Sequence, residues 1–261
     1  MPDPSPSARD RNRQPARGEG HSRHLPFQPG DYDQHGFEPA AGGEPPTALI
    51  DIGCGDGCFL AQACEKWPGL ISFGVDLSES AVEATTRRLD ASGITKFAAV
   101  AANGFDIEFW SRQVPEAVRS SPRPVISMWF VGHEFSQGKP ERIVEFFAEL
   151  YRYFPRAEVM LGEINKISPR DFAQDYELSI MPEFLLFHEL SHQGVLSWQD
   201  WQTVLTEIPY ELMQERRFDE VRSLSGAPIP ASFVWQLRPE RGGGVQNGQT
   251  ESTGSSDGFG H

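Results

Sequence analysis

The stretch Asp51-Ile-Gly-Cys-Gly-Asp-Gly57 constrains this chain more than any other. An apolar run, Thr47 to Ile52, leads into it, and a helical pattern, Cys58 to Lys66, leads out. Glycines at 53, 55 and 57 let the backbone turn tightly between strand and helix and leave no Cβ to hold a ligand away. The first amides of the helix then face whatever fills the turn and favour an anionic group there. Asp76 closes the next apolar run, Leu70 to Val75, where an acid can accept both hydroxyl hydrogens of a ribose. A dinucleotide fingerprint needs G-x-G-x-x-G or A, and counted from Gly53 the sixth position is Cys58. Asp51, two residues before the first glycine, sits badly beside a pyrophosphate and suits a zwitterionic amino-acid moiety better.

The rest of the chain repeats that alternation. Strands are expected at Thr47 to Ile52, Leu70 to Val75, Lys96 to Ala101, Pro124 to Phe130 and Glu158 to Leu161. Helices are expected at Cys58 to Lys66, from Ser78 to Leu89, over Ile107 to Arg119 and over Glu141 to Tyr153. Ser78 is an N-cap with Glu79 in the first turn, where the helix dipole favours an acid. Ser197 and Asp200 have capping-box spacing at the start of a further helix. Tyr210 to Phe218 and Ala231 to Leu237 have no long helix between them and read as a hairpin. Alternating strands and helices imply an α/β domain with helices on both faces of a parallel sheet. The expectation is a seven-stranded, mostly parallel, Rossmann-like sheet ending in an antiparallel hairpin.

Length and composition bound what surrounds that sheet. The 261 residues suit one domain with tails. Residues 1–44 are rich in Pro, Gly, Asp, Arg and Gln and are expected to be a flexible arm, whose Leu25 to Gln28 and Tyr32 to Phe37 carry enough aromatics to dock on something. Residues 241–261 are rich in Gly, Ser, Gln and Asn and read as a disordered tail, which leaves 45–240 as the domain. A formal net charge of −14 repels phosphate backbones, so nucleic acid is not an expected partner. No apolar run is long enough for a membrane helix, and the first thirty residues lack the apolar core of a signal peptide, so a cytoplasmic location is expected. Cys54, Cys58 and Cys64 are odd in number and spaced C-x3-C-x5-C, which suits neither a disulfide framework nor the C-x3-C-x2-C of radical enzymes. They read as small residues in a loop and on a buried helix face.

With these features in register, Pro45 to about Pro239 resembles the class I S-adenosylmethionine (SAM)-dependent methyltransferases. Asp51-x-Gly53-x-Gly55-x-Gly57 is similar to their first motif, and Asp76, with Leu77 beside it, to the ribose-binding position. The third strand runs into Ala101-Ala-Asn103-Gly-Phe105-Asp106. The resemblance implies that Asn103, or else Asp106, contacts the adenine amino group and that Phe105 borders the ring, although Phe105 also reads as ordinary core.

The acceptor side is expected at the carboxyl end of the fourth strand, since ligands of parallel sheets bind outside those ends. There the chain reads Phe130-Val-Gly-His133-Glu134, and Gly132 relaxes the backbone before two functional side chains. An insertion over 165–196, with an apolar inner wall of Met181, Phe184, Leu185, Leu186 and Phe187, reads as a lid carrying His188-Glu-Leu-Ser-His192-Gln193. His133 and the lid leave the same edge of the sheet, so His133 and His188 are expected to converge. From the residues alone, His133 is a lone general base and the lid histidines line the wall; two histidines with a carboxylate and an amide also form a divalent-metal pattern.

These acceptor motifs resemble those of C-methyltransferases that act on α-keto acids, of the 2-ketoarginine and phenylpyruvate methyltransferase type. That resemblance implies an iron or zinc ion on His133 and His188 with Gln193 in or near its shell. The ion would stabilise an enolate of the small-molecule acceptor, and Glu134 or His192 would take the C3 proton. These relatives carry a helical N-terminal dimerisation region, where this chain has only its Pro/Gly-rich arm, and the oligomeric state is left open. Two other readings stand beside this one: a metal-free O- or N-methyltransferase of a small natural product with His133 as base, and a SAM-binding protein without catalysis.

Overall fold

The computed structural model describes residues 44–168, 170–171, 181–191, 193–222 and 226–240. The expected arms, 1–44 and 241–261, lie outside these residues except for Glu44. Seven strands form one sheet in the order β3-β2-β1-β4-β5-β7-β6. They are β1 Ala48–Ile52, β2 Ile71–Asp76, β3 Phe97–Ala101, β4 Pro124–Trp129, β5 Glu158–Ile164, β6 Tyr210–Arg222 and β7 Pro228–Pro239. The first five pair in parallel, and β7 runs antiparallel between β5 and β6. The sheet expected from the sequence is therefore the sheet found.

The helices cover both faces, which is why the inner strands read as continuous apolar runs. They are α1 Cys58–Lys66, α2 Glu79–Ala91, α3 Ile107–Ser111, α4 Glu116–Arg119, α5 Gly132–Ser136, α6 Pro140–Tyr153, α7 Met181–Leu190 and α8 Trp198–Glu207. Ala48, Ile50 and Ile52 of β1 face a core shared with Trp110, Phe147 and Trp201, whereas Leu49 faces a second core with Leu60 and Leu89. Helix α6 begins with Pro140 in its first turn and buries Ile143, Phe146, Phe147 and Leu150, one helical stripe. Each such side chain contributes about 1.5–3 kcal/mol by leaving water. The caps at Ser78 and the Ser197–Asp200 capping box form as read.

Three expectations need correction. The single helix over Ile107 to Arg119 is two short ones, because Pro115 has no N–H to donate and stands as the N-cap of α4. Strand β5 runs to Ile164, past the expected end at Leu161, and this carries Glu163 into the sheet. The hairpin is also longer than read, reaching Arg222 opposite Pro228.

Gly162 on β5 lies directly across from Trp129 at the end of β4. A Cβ at Gly162 would overlap the Trp129 indole. Gly162→Ala is therefore expected to destabilise the domain by about 1–3 kcal/mol through overpacking, read as a lower urea midpoint with an unchanged slope. An unchanged midpoint would show that Trp129 can move aside.

Candidate active site

The loop Gly53–Gly57 is held from three sides. Gly53, Gly55 and Gly57 all have positive φ, at 79°, 56° and 77°. Beneath Gly53 lies Val131, whose Cγ1 occupies the place a Cβ would take. A Cβ on Gly57 would stand 2.9 Å from the Thr85 backbone of α2. The Thr85 hydroxyl donates to the Gly55 carbonyl at 2.9 Å, and the Arg88 Nε donates to the Asp56 carbonyl at 2.9 Å while its guanidinium pairs with the Asp56 carboxylate. Asp76, at the end of β2, accepts the Gly55 N–H through Oδ2 and the Ser78 N–H through Oδ1, both at 2.9 Å. A carboxylate has about four acceptor positions, so two hydroxyls can still be received. Leu77 beside it is 76% exposed.

Asp51 differs from Asp76. It is 2% exposed, and the Ser127 hydroxyl donates to its Oδ1 at 2.7 Å. Burial pushes its carboxyl up to about 7, against the lowering effect of Ser127 and with the charge of Asp76 adding to the rise. Burial, with the charge of Asp51, also pushes the Cys54 thiol up to about 12, so it is no nucleophile. All three cysteines are free, Cys54 in the loop and Cys64 on the buried face of α1.

The residues after β3 have local duties. Asn103 is exposed and its Oδ1 accepts the Phe105 N–H at 3.0 Å; Asp106 is exposed and caps α3 through the Phe109 N–H. Phe105 packs on Phe135 at 4.0 Å between centroids and on Phe146 at 5.6 Å, with Arg142 over its ring. It thus joins the core, the second of its two expected roles.

At the end of β4 the chain turns through Phe130, a non-glycine residue at φ 55°. That region is strained for an aromatic residue. The turn starts α5 at once and buries His133 to 3% exposure. Glu163, fully buried, accepts the His133 backbone N–H at 2.8 Å through Oε2 and faces its Nδ1 at 3.1 Å through Oε1, which also accepts the Ile164 N–H. Gly132 has no positive φ; its absent Cβ makes room for Glu163 Oε2 at 2.8 Å and for Trp201 at 3.1 Å. Burial disfavours the imidazolium, yet the charge and hydrogen bond of Glu163, with the charge of Glu134, outweigh it and raise the His133 pKa above its ordinary value.

The lid helix α7 brings His188, 6% exposed, against His133 with ring centroids 4.7 Å apart and edge-to-face. Glu134, by contrast, is exposed, and the carboxylate that meets His133 is Glu163 instead. The Gln193 side-chain oxygen accepts the Ser191 hydroxyl at 3.2 Å. His192 lies outside the described residues, and of Met181 and Phe184 only the helical backbone is described. Among the described residues no group of three or more His, Cys, Asp or Glu is arranged to hold a metal. Glu163 was not among the residues expected from the sequence; the signal was a lone acid in the apolar run Val-Met-Leu-Gly-Glu-Ile.

No known family model matches the chain. Solved structures do. The mitomycin 7-O-methyltransferase superposes with a TM-score of 0.52 at 13% identity, over 78% of this chain and 51% of its own. An O-methyltransferase family protein from Burkholderia thailandensis gives 0.51 at 14%, over 75% and 51%. An O-methyltransferase family 2 protein from Planctomyces limnophilus, solved with apigenin, gives 0.50 at 13%, over 78% and 55%. The chain spans about half the length of these proteins. At such identities the likeness is one of fold, and the fold is that of the Rossmann-like class I methyltransferases. Among the described residues no helix is long and apolar enough to cross a membrane.

The His133–Glu163 contact predicts a titration. In chelator-treated protein, Glu163→Gln should lower the His133 pKa below the wild-type value, because burial then acts with less opposition; imidazole NMR reads it. The raised native value means that the linked part of the stability is fully present below about pH 6.5 and is lost as pH rises through that native value. The urea-midpoint advantage of wild type over Glu163→Gln should accordingly narrow between pH 6 and pH 8. Equal His133 pKa values in the two proteins would show that Glu163 does not control this ring.

Proposed function

We propose that this chain is a SAM-dependent methyltransferase of a small-molecule acceptor, with His133 as general base oriented by Glu163. The observation that carries the reading is that the donor loop and a buried His–carboxylate pair stand at the same edge of the sheet, joined by the four residues Phe130 to His133. Asp76 would receive the ribose hydroxyls, Leu77 and the Asn103 side would border the adenine, and the α1 amides and Asp51 would meet the amino-acid end. When Nδ1–H of His133 points at Glu163, the lone pair of the neutral ring is on Nε2, the atom that takes a proton from an acceptor O–H or N–H. Glu163 holds the tautomer and steadies the imidazolium that forms. Loss of the proton raises the nucleophilicity of the acceptor as it attacks the sulfonium methyl in line. Two structural neighbours, a mitomycin 7-O-methyltransferase and a family 2 O-methyltransferase solved with apigenin, support a small-molecule acceptor methylated on oxygen.

The His133–His188 contact favours a second reading, metal-assisted C-methylation of an α-keto acid. Ring centroids 4.7 Å apart are close enough for two imidazoles to share one ion at about 2.0–2.2 Å from each nitrogen. The donor set is short, since Glu163 is engaged with the His133 N–H groups and Gln193 with Ser191. An iron or zinc ion held by His133 and His188 would act as a Lewis acid on an enolisable acceptor.

Calorimetry with SAM is expected to show binding, weakened by Asp76→Ala by about 2 kcal/mol, or roughly thirtyfold, since neutral donors on a charged acceptor are each worth about 1.5–3 kcal/mol. With labelled SAM and a panel of phenols and phenylpyruvate, His133→Ala should lower kcat about 10²–10⁴-fold and leave SAM affinity nearly intact. Elemental analysis of the purified protein separates the two readings. Turnover of a phenol that survives chelation supports the metal-free base. Stoichiometric iron or zinc lost in both His133→Ala and His188→Ala, with phenylpyruvate as the one substrate, overturns it.

A further inference from the structure

Two acids stand near the ends of adjacent strands, Asp76 as the last residue of β2 and Asp51 as the last but one of β1, and they are built differently. Asp76 stands at the mouth with a backbone N–H on each oxygen. Asp51 lies behind the loop at 2% exposure, and the side-chain hydrogen bond described for it comes from Ser127 alone. The one proton of that hydroxyl is shared with a second acceptor, the Ile50 carbonyl at 3.3 Å. A buried carboxylate so thinly solvated is costly, and the charge of Asp76 beside it adds repulsion. The titratable groups that bear on Asp51 are Asp76 from β2 and the Cys54 thiol from the loop, neither of them cationic; β4 supplies only Ser127. Where like-charged groups share a site and their environments differ, the less solvated one takes the proton.

We propose that Asp51 is a carboxylic acid before the donor binds and gives its proton to solvent when the α-ammonium of the donor's zwitterionic end and the sulfonium beside it arrive, so that the site reads positive charge through one proton exchange at one buried carboxyl. The inference depends on the assignment of this loop to SAM. The arriving ammonium and sulfonium supply a counter-charge that none of the described residues gives Asp51, and the carboxylate becomes the stable form. The O–H bond of Asp51 breaks, the proton passes to buffer, and no other bond changes. The rise of the Asp51 carboxyl to about 7 places this exchange near neutral pH.

Calorimetry of SAM binding in two buffers of different ionisation enthalpy tests the exchange. At pH 6.0 the α-amino group of SAM is already protonated, as α-amino groups titrate near 7.7–8.0, so it takes up no proton. Wild type should release about 0.9 proton per SAM at pH 6.0, and its Kd should weaken about fivefold from pH 7.0 to pH 6.0. Asp51→Asn should bind SAM with no release at pH 6.0 and a flat Kd over that range. Ser127→Ala should hold the Asp51 proton more tightly and still release close to one at pH 7.0, where wild type releases about half. Binding by wild type without proton release overturns the inference, and so does a release that survives in Asp51→Asn, since the proton then comes from another group such as His133. No binding heat at either pH overturns the donor assignment itself, and the inference with it.

Discussion

A fully buried carboxylate must be surrounded by donors or the fold loses several kcal/mol, and Glu163 is such a group. Its three described donors are the backbone N–H and Nδ1 of His133 and the N–H of Ile164. Two of the three come from one residue on another element, so α5 must begin where it does. That demand explains its neighbours. Phe130 accepts a strained φ because the chain has to leave β4 abruptly, and its own N–H is anchored on the Gly162 carbonyl at 2.9 Å. Gly132 is glycine because the carboxylate fills the space of its side chain. Trp201 of α8 closes the space from the other side. Breaking such a buried pair by removing one partner is costlier than the pair is worth, which ties the position of His133 to the integrity of the sheet.

The donor loop is governed by a different balance. There the backbone, not a side chain, has to be held, and α2 does it with Thr85 and Arg88. Val131, one residue before Gly132, fills the space over Gly53. The same short segment therefore touches the donor loop on one side and Glu163 on the other. A shift of the loop by a fraction of an ångström would press on Val131 and be felt at His133. The spacing between the Gly53–Gly57 loop and His133 is set by these contacts; were the two to act on one substrate, misplacement of that size is what catalytic geometry tolerates least.

Much of this was legible in the residues. Strand and helix periods, the two N-caps and the terminal hairpin are local signals, and local signals dominate where a segment is apolar on a fixed period. The strand-to-helix turn over Gly53 to Gly57 was legible because three glycines so placed suit the positive φ that each takes, and Asp76 because it closes an apolar run. Glu163 was not. A lone acid in Val159 to Ile164 looks like a strand end, and only the tertiary partner of that acid, thirty residues earlier in His133, makes it core. Pro115 was overlooked inside a long helical pattern, although a missing N–H is a sequence-level fact. For Asn103 and Asp106 the residue types alone do not separate a ligand contact from the turn and the cap that their oxygens form.

The acceptor side depends on how the lid is attached. The segment that carries His188 starts and ends at one point, where Lys166 bridges Ser197 and its N–H donates to the Leu196 carbonyl at 2.8 Å. A second anchor lies deeper. Gly194 lies directly on the Gln137–Gly138 backbone, and its carbonyl accepts the Ser136 hydroxyl at 2.5 Å and the Gly138 N–H at 3.2 Å. Gln137 takes a positive φ of 46° at this contact. The first anchor is made by backbone groups, and at the second Gly194 has no room for a Cβ, so both hold the base of this segment whatever side chains line its inner face. His188 points inward from α7, while Leu186, Phe187 and Leu190 of the same helix remain exposed. Of the described side chains of this helix, Leu185 packs on the small core of Ile164, Ile167 and Val195, and His188, in the last turn, is buried against His133. His133 is positioned by the sheet and α5, through Glu163 of β5, whereas His188 is positioned by α7, so the imidazole pair keeps its place only while the base of that segment stays fixed on Lys166 and Gly194.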